Sequence, residues 1–307
     1  MVKTKFFNIA GITINYEADL EWEKIQLNPA IQPFLSRGPG IDNFFLQRVF
    51  EMPDLSTINL GDAIYNNPPW AIYQNNITGS LYYKGILTED GMGQLWTFAE
   101  FLADYTFGKI YSHPSQRDYY YSAGLHNLSG FSSDSIWLAQ LLANRNGAIF
   151  HSSAAILNEI GLMFIGRSEA GKTTTFRILK EARDVDGYPV TVLCDETNAV
   201  RRLVDGWHVY GTWGHGDESE VSPASAPLRG IFILKQSSTN AIRPIDDRAV
   251  AVKYLLMTLF RPFMTAAWWE KMLEIINILV KEIPVYEMSF DKSGKIVEIL
   301  DEYTKLL

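Results

Sequence analysis

Residues Gly166, Arg167, Ser168, Glu169, Ala170, Gly171, Lys172 and Thr173 spell G-x-x-x-x-G-K-[ST] with every fixed position filled. In that pattern glycines let the chain wrap so tightly that backbone N–H groups converge on a phosphate. A helix starting at the end of the loop would turn its positive N-terminal end toward the same anion. Lys172 adds a charge that reaches the outer phosphates. The Thr173 hydroxyl is of the type that ligates Mg²⁺, which takes oxygen ligands. Thr174 follows within the same turn. A glycine-rich strand–helix turn with an incidental lysine is the plain alternative.

Two further groups of residues have the types that phosphoryl chemistry uses. Cys194-Asp195-Glu196 closes the apolar run "VTVLC". A carboxylate at such a strand end holds Mg²⁺, directly or through water. A second acid orients a nucleophile or takes its proton. Successive strand side chains point to opposite faces, so both acids serve one site only if the strand has already ended. His151 ends the apolar run "GAIF" on the strand before the loop, which brings an imidazole toward the same place. An acidic turn and a structural histidine are the bland readings. Cys194 itself reads as a small buried hydrophobe.

The stretch "VYGTWGHGDESEVSPASAPLRG" is long, polar and rich in Gly, Ser and Pro. His215 stands between two glycines and is followed by Asp217, Glu218 and Glu220, which suits a metal, a substrate or plain solvent. Arg261, at the helix break "RPF", is a further cation for an anion to meet.

These residues need elements to hold them. "AIFHSSAAIL" and "GLMFIG" read as strands joined by "NEI", then "GKTTTFRILKEA" as a helix and "VTVLCDE" as a buried strand. "GWHVYGTW", "LRGIFILK" and "IPVYEMSFD" are further strands. "SSDSIWLAQLLANRNGA", "AVAVKYLLMTLF" and "AAWWEKMLEIINILVKE" have helical spacing. Before about Ser132 the texture is different. "GITINYE", "DNFFLQRVFEM", "WAIYQNNITGSLYYKGI", "GKIYSH" and "DYYYSAGL" are short β-like runs separated by turn residues. "NNPPW" interrupts them and cannot be central strand, while "GQLWTFAEFLADY" suits strand or helix. The expected fold is α+β to α/β: a mostly antiparallel β-rich domain over 1–135, then a mixed-sheet nucleotide-binding domain over 136–307.

Bulk properties narrow the classes. The chain has 307 residues and a formal net charge of -8 without a basic block. That gives no electrostatic footprint for nucleic acid and disfavours anionic membranes. One cysteine excludes an intramolecular disulfide and four-cysteine zinc sites. The N-terminus does not read as a secretory signal, and no apolar run is long enough for a bilayer. The expectation is a cytoplasmic protein, with the sequons at Asn76 and Asn127 arising by chance.

Taken together, "HSS", "GRSEAGKT" and "CDE" resemble the HPr serine kinase family, within the phosphoenolpyruvate-carboxykinase-like nucleotide fold. That family carries a His-Gly or His-Ser/Ala step, a G-x-S-G-x-G-K-S loop and an Asp-Asp or Asp-Glu pair. The resemblance covers about residues 136 to 290 and looks closest to HPr-kinase-like proteins of unassigned substrate, including kinases of small ribosomal peptides. "APLRGIFIL" is similar to the family's arginine–glycine strand, which would place Arg229 near the phosphates. The N-terminal half does not look like the regulatory domain of HPr kinases, and their segment linked to phosphorolysis is not found.

The resemblance implies an ATP- and Mg²⁺-dependent kinase acting on a hydroxyl, serine of a protein or peptide first. Lys172 and the loop would cradle the phosphates, Thr173 and Asp195 would hold Mg²⁺, and Asp195 or Glu196, helped by His151, would take the proton. Two alternatives stay open: a nucleotide-binding regulatory or assembly module with little turnover, and a kinase for a small-molecule alcohol. No Asn-Lys-x-Asp segment supports a GTPase and no Leu-Ser-Gly-Gly signature supports an ABC-type ATPase.

Overall fold

The structure, a computed structural model, describes residues 4–87, 93–131, 133–262 and 265–306. Ser132, where the sequence texture changes, and Phe263 of "RPF" lie outside them. The chain forms two compact units, one running through Trp137 and the other beginning at Leu138.

The first unit is a nine-stranded sheet. Its strands are β1 (Thr4–Ile9), β2 (Ile12–Ala18), β3 (Leu35–Ser36), β4 (Asp42–Val49), β5 (Asp62–Asn67), β6 (Trp70–Gln74), β7 (Leu81–Leu87), β8 (Gln94–Phe101) and β9 (Phe107–Ser112). They lie in the order β3-β1-β2-β4-β9-β8-β7-β6-β5. Most pairs are antiparallel, but β4 pairs in parallel with both β2 and β9. The ambiguous segment is strand β8. The run "DYYYSAGL" is not a strand: helix α1 (Ser115–Ala123) takes its three tyrosines, after Pro114. β-propensity of aromatics depends on where they pack, and here Tyr120 alone turns fully inward while Tyr119 is exposed.

What Tyr120 turns toward is a buried cation. Arg48 on β4 is fully buried, with Nε donating to Ser112 Oγ at 2.9 Å and Nη2 to Gln116 Oε1 at 2.6 Å. Its Nη1 donates to Tyr120 Oη at 3.0 Å and to the Leu128 carbonyl at 3.3 Å. Beside it Asp134 accepts from Leu128 N, Ser129 N and Trp137 Nε1. A guanidinium out of water is tolerable only when its donors are satisfied in this way.

The second unit contains α2 (Ser135–Ala143) from Leu138 onward, β10 (Gly147–Leu157), β11 (Ile160–Ile165), α3 (Lys172–Glu181) with a π-helical continuation over Ala182–Asp186, β12 (Val190–Cys194), β13 (Thr197–Leu203), β14 (Gly206–Gly211), β15 (Ser225–Gln236), β16 (Ala241–Pro244), α4 (Arg248–Thr258), α5 (Ala266–Glu282), β17 (Val285–Phe290) and α6 (Ile296–Lys305). β10 and β15 are each shared between two sub-sheets. The first part of β10 pairs with β13, and the second part lies between β11 and β12. β15 begins against β14 and continues between β11 and β17, parallel to both.

Strand alternation sorts the core of this unit. Leu162 and Phe164 of β11 pack with Phe176 and Leu179 of α3 and with Ile296 and Leu300 of α6. Met163 and Ile165, one residue out of phase, pack with Leu255 of α4 and with Met272 and Ile276 of α5. Helices therefore cover both faces of the larger sub-sheet. Among the described residues, no helix is long and apolar enough to cross a membrane.

Arg48→Ala should destabilise the protein by roughly 3 kcal/mol or more, since it opens a cavity and strands several buried acceptors. Lys24→Ala, which removes an exposed pair with Glu21, should leave stability almost unchanged. Urea unfolding of the two variants measures the difference.

Candidate functional site

The hairpin between β10 and β11 turns on Asn158 and Glu159, both with positive φ, the geometry of a tight two-residue connection. Its register sets the height of everything above it. Ser152 pairs with Ile165, so the preceding residue, His151, is level with Gly166, the first residue of the loop. His151 does not end its strand. It lies inside β10, where the partner on one edge changes from β13 to β12, because β10 continues unbroken for 11 residues.

The loop leaves β11 after Ile165 and enters α3 at Lys172. Ala170 N–H donates to the Arg167 carbonyl at 3.1 Å, which closes a turn around Ser168 and Glu169. Glu169 and Gly171 have φ values of 65° and 109°. Left-handed residues in such a turn are the material of anion-binding nests. Both fixed glycines have steric causes. A Cβ on Gly166 would come 2.7 Å from the Ala170 Cβ, and one on Gly171 2.6 Å from the Phe290 ring. Lys172 Nζ folds back over the loop, 3.5 Å from the Gly166 carbonyl and 3.4 Å from that of Arg167. Thr173 and Thr174 are half-buried in the first turn of α3, and Arg167 is exposed.

The acids lie on one flank. β12 ends at Cys194, so Asp195 and Glu196 sit in a bend before β13, and the condition for sharing one site is met. Asn198 holds this bend against β10, donating to the carbonyls of Ser152 at 2.7 Å and Cys194 at 3.0 Å. The His151 Nδ1 lies 3.2 Å from Glu196 Oε1, with both side chains 44% exposed. The imidazole also leans on Phe260, with 5.7 Å between ring centroids. Arg261, next in the chain, is exposed. Asp195 differs from its neighbour. It is 1% exposed, and its two oxygens accept from Gly216 N at 2.8 Å and Glu218 N at 3.0 Å. Burial pushes the Cys194 thiol up, which keeps it protonated and inert.

Arg229, expected beside the phosphates, stands at the opposite end of the strands. β15 runs parallel to β11 with Leu228 and Gly230 opposite Gly161 and Leu162. That is about four residues, or roughly 13 Å, short of the loop. Its carbonyl receives the Tyr303 hydroxyl at 2.9 Å. The residue of β15 that does meet the loop is its last, Gln236, whose Nε2 donates to the Glu169 carbonyl at 2.7 Å. With Ser237, Phe290, Asp291, Lys292, Gly171 and Thr174 it lines a cavity of about 220 Å³ on the flank away from the acids. Hydrogen bonds from Ser293, with Asn240 beside it, hold the Asp291 carboxyl down at about 2. Sequence reasoning missed these residues. The available signal was that ligands collect at the carboxyl ends of parallel strands, and "KQSS" and "FDKS" are two such ends.

The residues fit a phosphate-bearing group at the loop, by the cradle that a Cβ would fill and by the lysine folded over it. Thr173 fits as an oxygen ligand for Mg²⁺. Asp195 as folded does not, since it is buried and both oxygens are engaged. Among the described residues, no group of three or more His, Cys, Asp or Glu side chains is placed to hold a metal ion.

No protein-family model matches the chain, and no curated protein matches it in sequence. Among solved structures the chain is similar to the HPr(Ser) kinase/phosphatase from Coxiella burnetii, with 9% sequence identity over 52% of this chain and 96% of that one, at a TM-score of 0.29. A likeness of that degree carries no chemistry across, which rests instead on the residues above.

Gly171→Ala should cost about 1–3 kcal/mol, from a left-handed backbone and from collision with Phe290. Gly187→Ala, also at positive φ but with open space around it, should cost only about 1 kcal/mol. Equal costs in thermal or urea unfolding would remove the Phe290 contact as a constraint on the loop.

Proposed function

We propose that this protein is an ATP- and Mg²⁺-dependent kinase that transfers the γ-phosphoryl group to a hydroxyl, in the first instance a serine of a protein or peptide. One observation carries the reading. A glycine-cradled loop crossed by Lys172 joins a strand to a helix N-terminus, and a half-exposed histidine–carboxylate pair stands level with it. The loop N–H groups and Lys172 bind the phosphates, where charge develops as the phosphoryl group moves.

ATP supplies the phosphoryl group, and Thr173 would hold Mg²⁺, which would supply neutralisation of the phosphate charge. His151 takes the proton from the acceptor hydroxyl as the new O–P bond forms and the bond to the leaving diphosphate breaks. Its Nδ1 is turned to Glu196, which leaves Nε2 for the acceptor. Glu196 orients the ring and stabilises the imidazolium that results, the ordinary work of a carboxylate behind a histidine. The Asp195 carboxylate has another task in this conformation, holding the backbone of residues 216–218.

The second reading is a nucleotide-binding module with little turnover. The burial of Asp195 favours it, because a kinase of this kind would be expected to expose both acids. A small-molecule alcohol as acceptor fits the same chemistry.

Lys172→Ala should abolish tight binding of Mg²⁺–ATP in calorimetric titration. Unchanged affinity in a folded variant would take the loop out of the argument. His151→Ala tests the proton transfer. It should keep ATP affinity and lower transfer from labelled ATP to acceptors in a cell extract by about 10²–10⁴-fold. A rate within a factor of about two of the parent would take the proton transfer away from His151, whereas ATP binding with no transfer by the parent would leave the binding module as the better account.

A further inference from the structure

The backbone that covers Asp195 belongs to the polar stretch around His215, and its attachments are unusual. Between Trp213 and Val221 no residue is buried, so this span has no apolar anchor of its own. It is held by polar contacts at three places. Thr197 Oγ1 donates to the Gly214 carbonyl at 2.7 Å. The N–H groups of Gly216 and Glu218 donate to Asp195. Gly216 lies so close that a Cβ there would be 3.2 Å from both Asp195 Oδ2 and Glu196 Oε2. Third, the side chains of Glu218 and Glu220 reach α3.

That last contact is a ladder of ion pairs. Arg177 Nε meets Glu218 Oε1 at 2.7 Å. Lys180 Nζ stands 3.8 Å from Glu218 and 3.2 Å from Glu220. Arg183 grips both oxygens of Glu220, at 2.5 and 3.2 Å, while its Nε also meets Asp184 at 2.8 Å. The three cations recur every third residue and so form one stripe along α3 and its continuation. α3 is also the helix that starts at the 166–173 loop. Partly exposed ion pairs are individually weak and screened by salt, so a segment held this way can open without disturbing the core.

We propose that residues 214–220 form a strap closed over Asp195, and that the ion pairs of Glu218 and Glu220 with α3 are its latch. Releasing the latch frees the two Asp195 oxygens and uncovers that acid next to the already half-exposed Glu196. Glu218 and Glu220 are positioning residues, acting through the backbone they tether. The proposal deepens the nucleotide reading by giving the site a closed and an open form, and it rests on that reading for what the open form binds.

The experiment uses the full chain and the double variant Glu218→Gln/Glu220→Gln, with circular dichroism to show that it folds. Amide hydrogen exchange is followed at Gly216 and Glu218, with Val192 as a core reference. Exchange at the two strap amides should quicken by about tenfold or more in the variant, while Val192 is unchanged. The unsubstituted protein should respond the same way when NaCl is raised from about 0.05 to about 1 M, which tests the latch even if the variant misfolds. Strap amides that keep their protection under both conditions would overturn the latch.

Mn²⁺ titration without nucleotide supplies the second readout. The variant should bind Mn²⁺ about tenfold more tightly than the parent, and Asp195→Asn in the same background should erase the gain. Loosened amides with unaltered Mn²⁺ binding would overturn the uncovering of Asp195. An ATP affinity indifferent to Lys172→Ala would instead defeat the nucleotide reading and leave the exchange result standing.

Discussion

The second unit depends on one strand that has to satisfy two different neighbours along one edge. β10 pairs with β13 up to His151 and with β12 beyond it. Backbone donors and acceptors inside a protein must all find partners, so the change of partner cannot be left ragged. Asn198 closes the junction by donating to the carbonyls of both Ser152 and Cys194. Once that junction is fixed, the heights of His151, the acid bend and the 166–173 loop follow from the register, and no separate device is needed to bring them to one end of the sheet.

The same arrangement gives the site a direction. At the level of the loop the order across the strands is acid bend, His151, loop, Gln236, Asp291. The loop is in the middle, with the His151–Glu196 pair on one side and the cavity lined by Gln236, Ser237, Phe290 and Asp291 on the other. α3 contributes at both levels, its first turn to the loop and its later cations to the strap over Asp195.

Several parts of this were legible in the residues. The loop was readable because its pattern is local: Gly166 is required by contact with Ala170 and Gly171 by a positive φ, and the strand before it and the helix after it carry their own apolar periods, while the contact of Gly171 with Phe290 belongs to the tertiary structure. The "CDE" acids were readable for the same reason, as the end of an apolar run. The tyrosine run misled, because aromatic residues suit a strand or a helix until packing decides, and here Arg48 draws Tyr120 inward from a helix. Arg229 misled because a short local pattern carries no information on which end of a strand it occupies.

By itself the sequence determined the loop, the alternation of strands and helices around it, and the identity of the acids and histidine near it, since each is set by residues within a turn or two of one another. Only the tertiary structure decided how those residues are used. It separated two adjacent acids into an exposed partner of His151 and a buried anchor of the 216–218 backbone, and it set Gln236 rather than Arg229 beside the loop. Those outcomes depend on strand register and on contacts between residues far apart in the chain. Registers are settled by satisfying backbone hydrogen bonds and burying one face of each strand across the whole sheet at once, a condition that no single stretch of sequence contains.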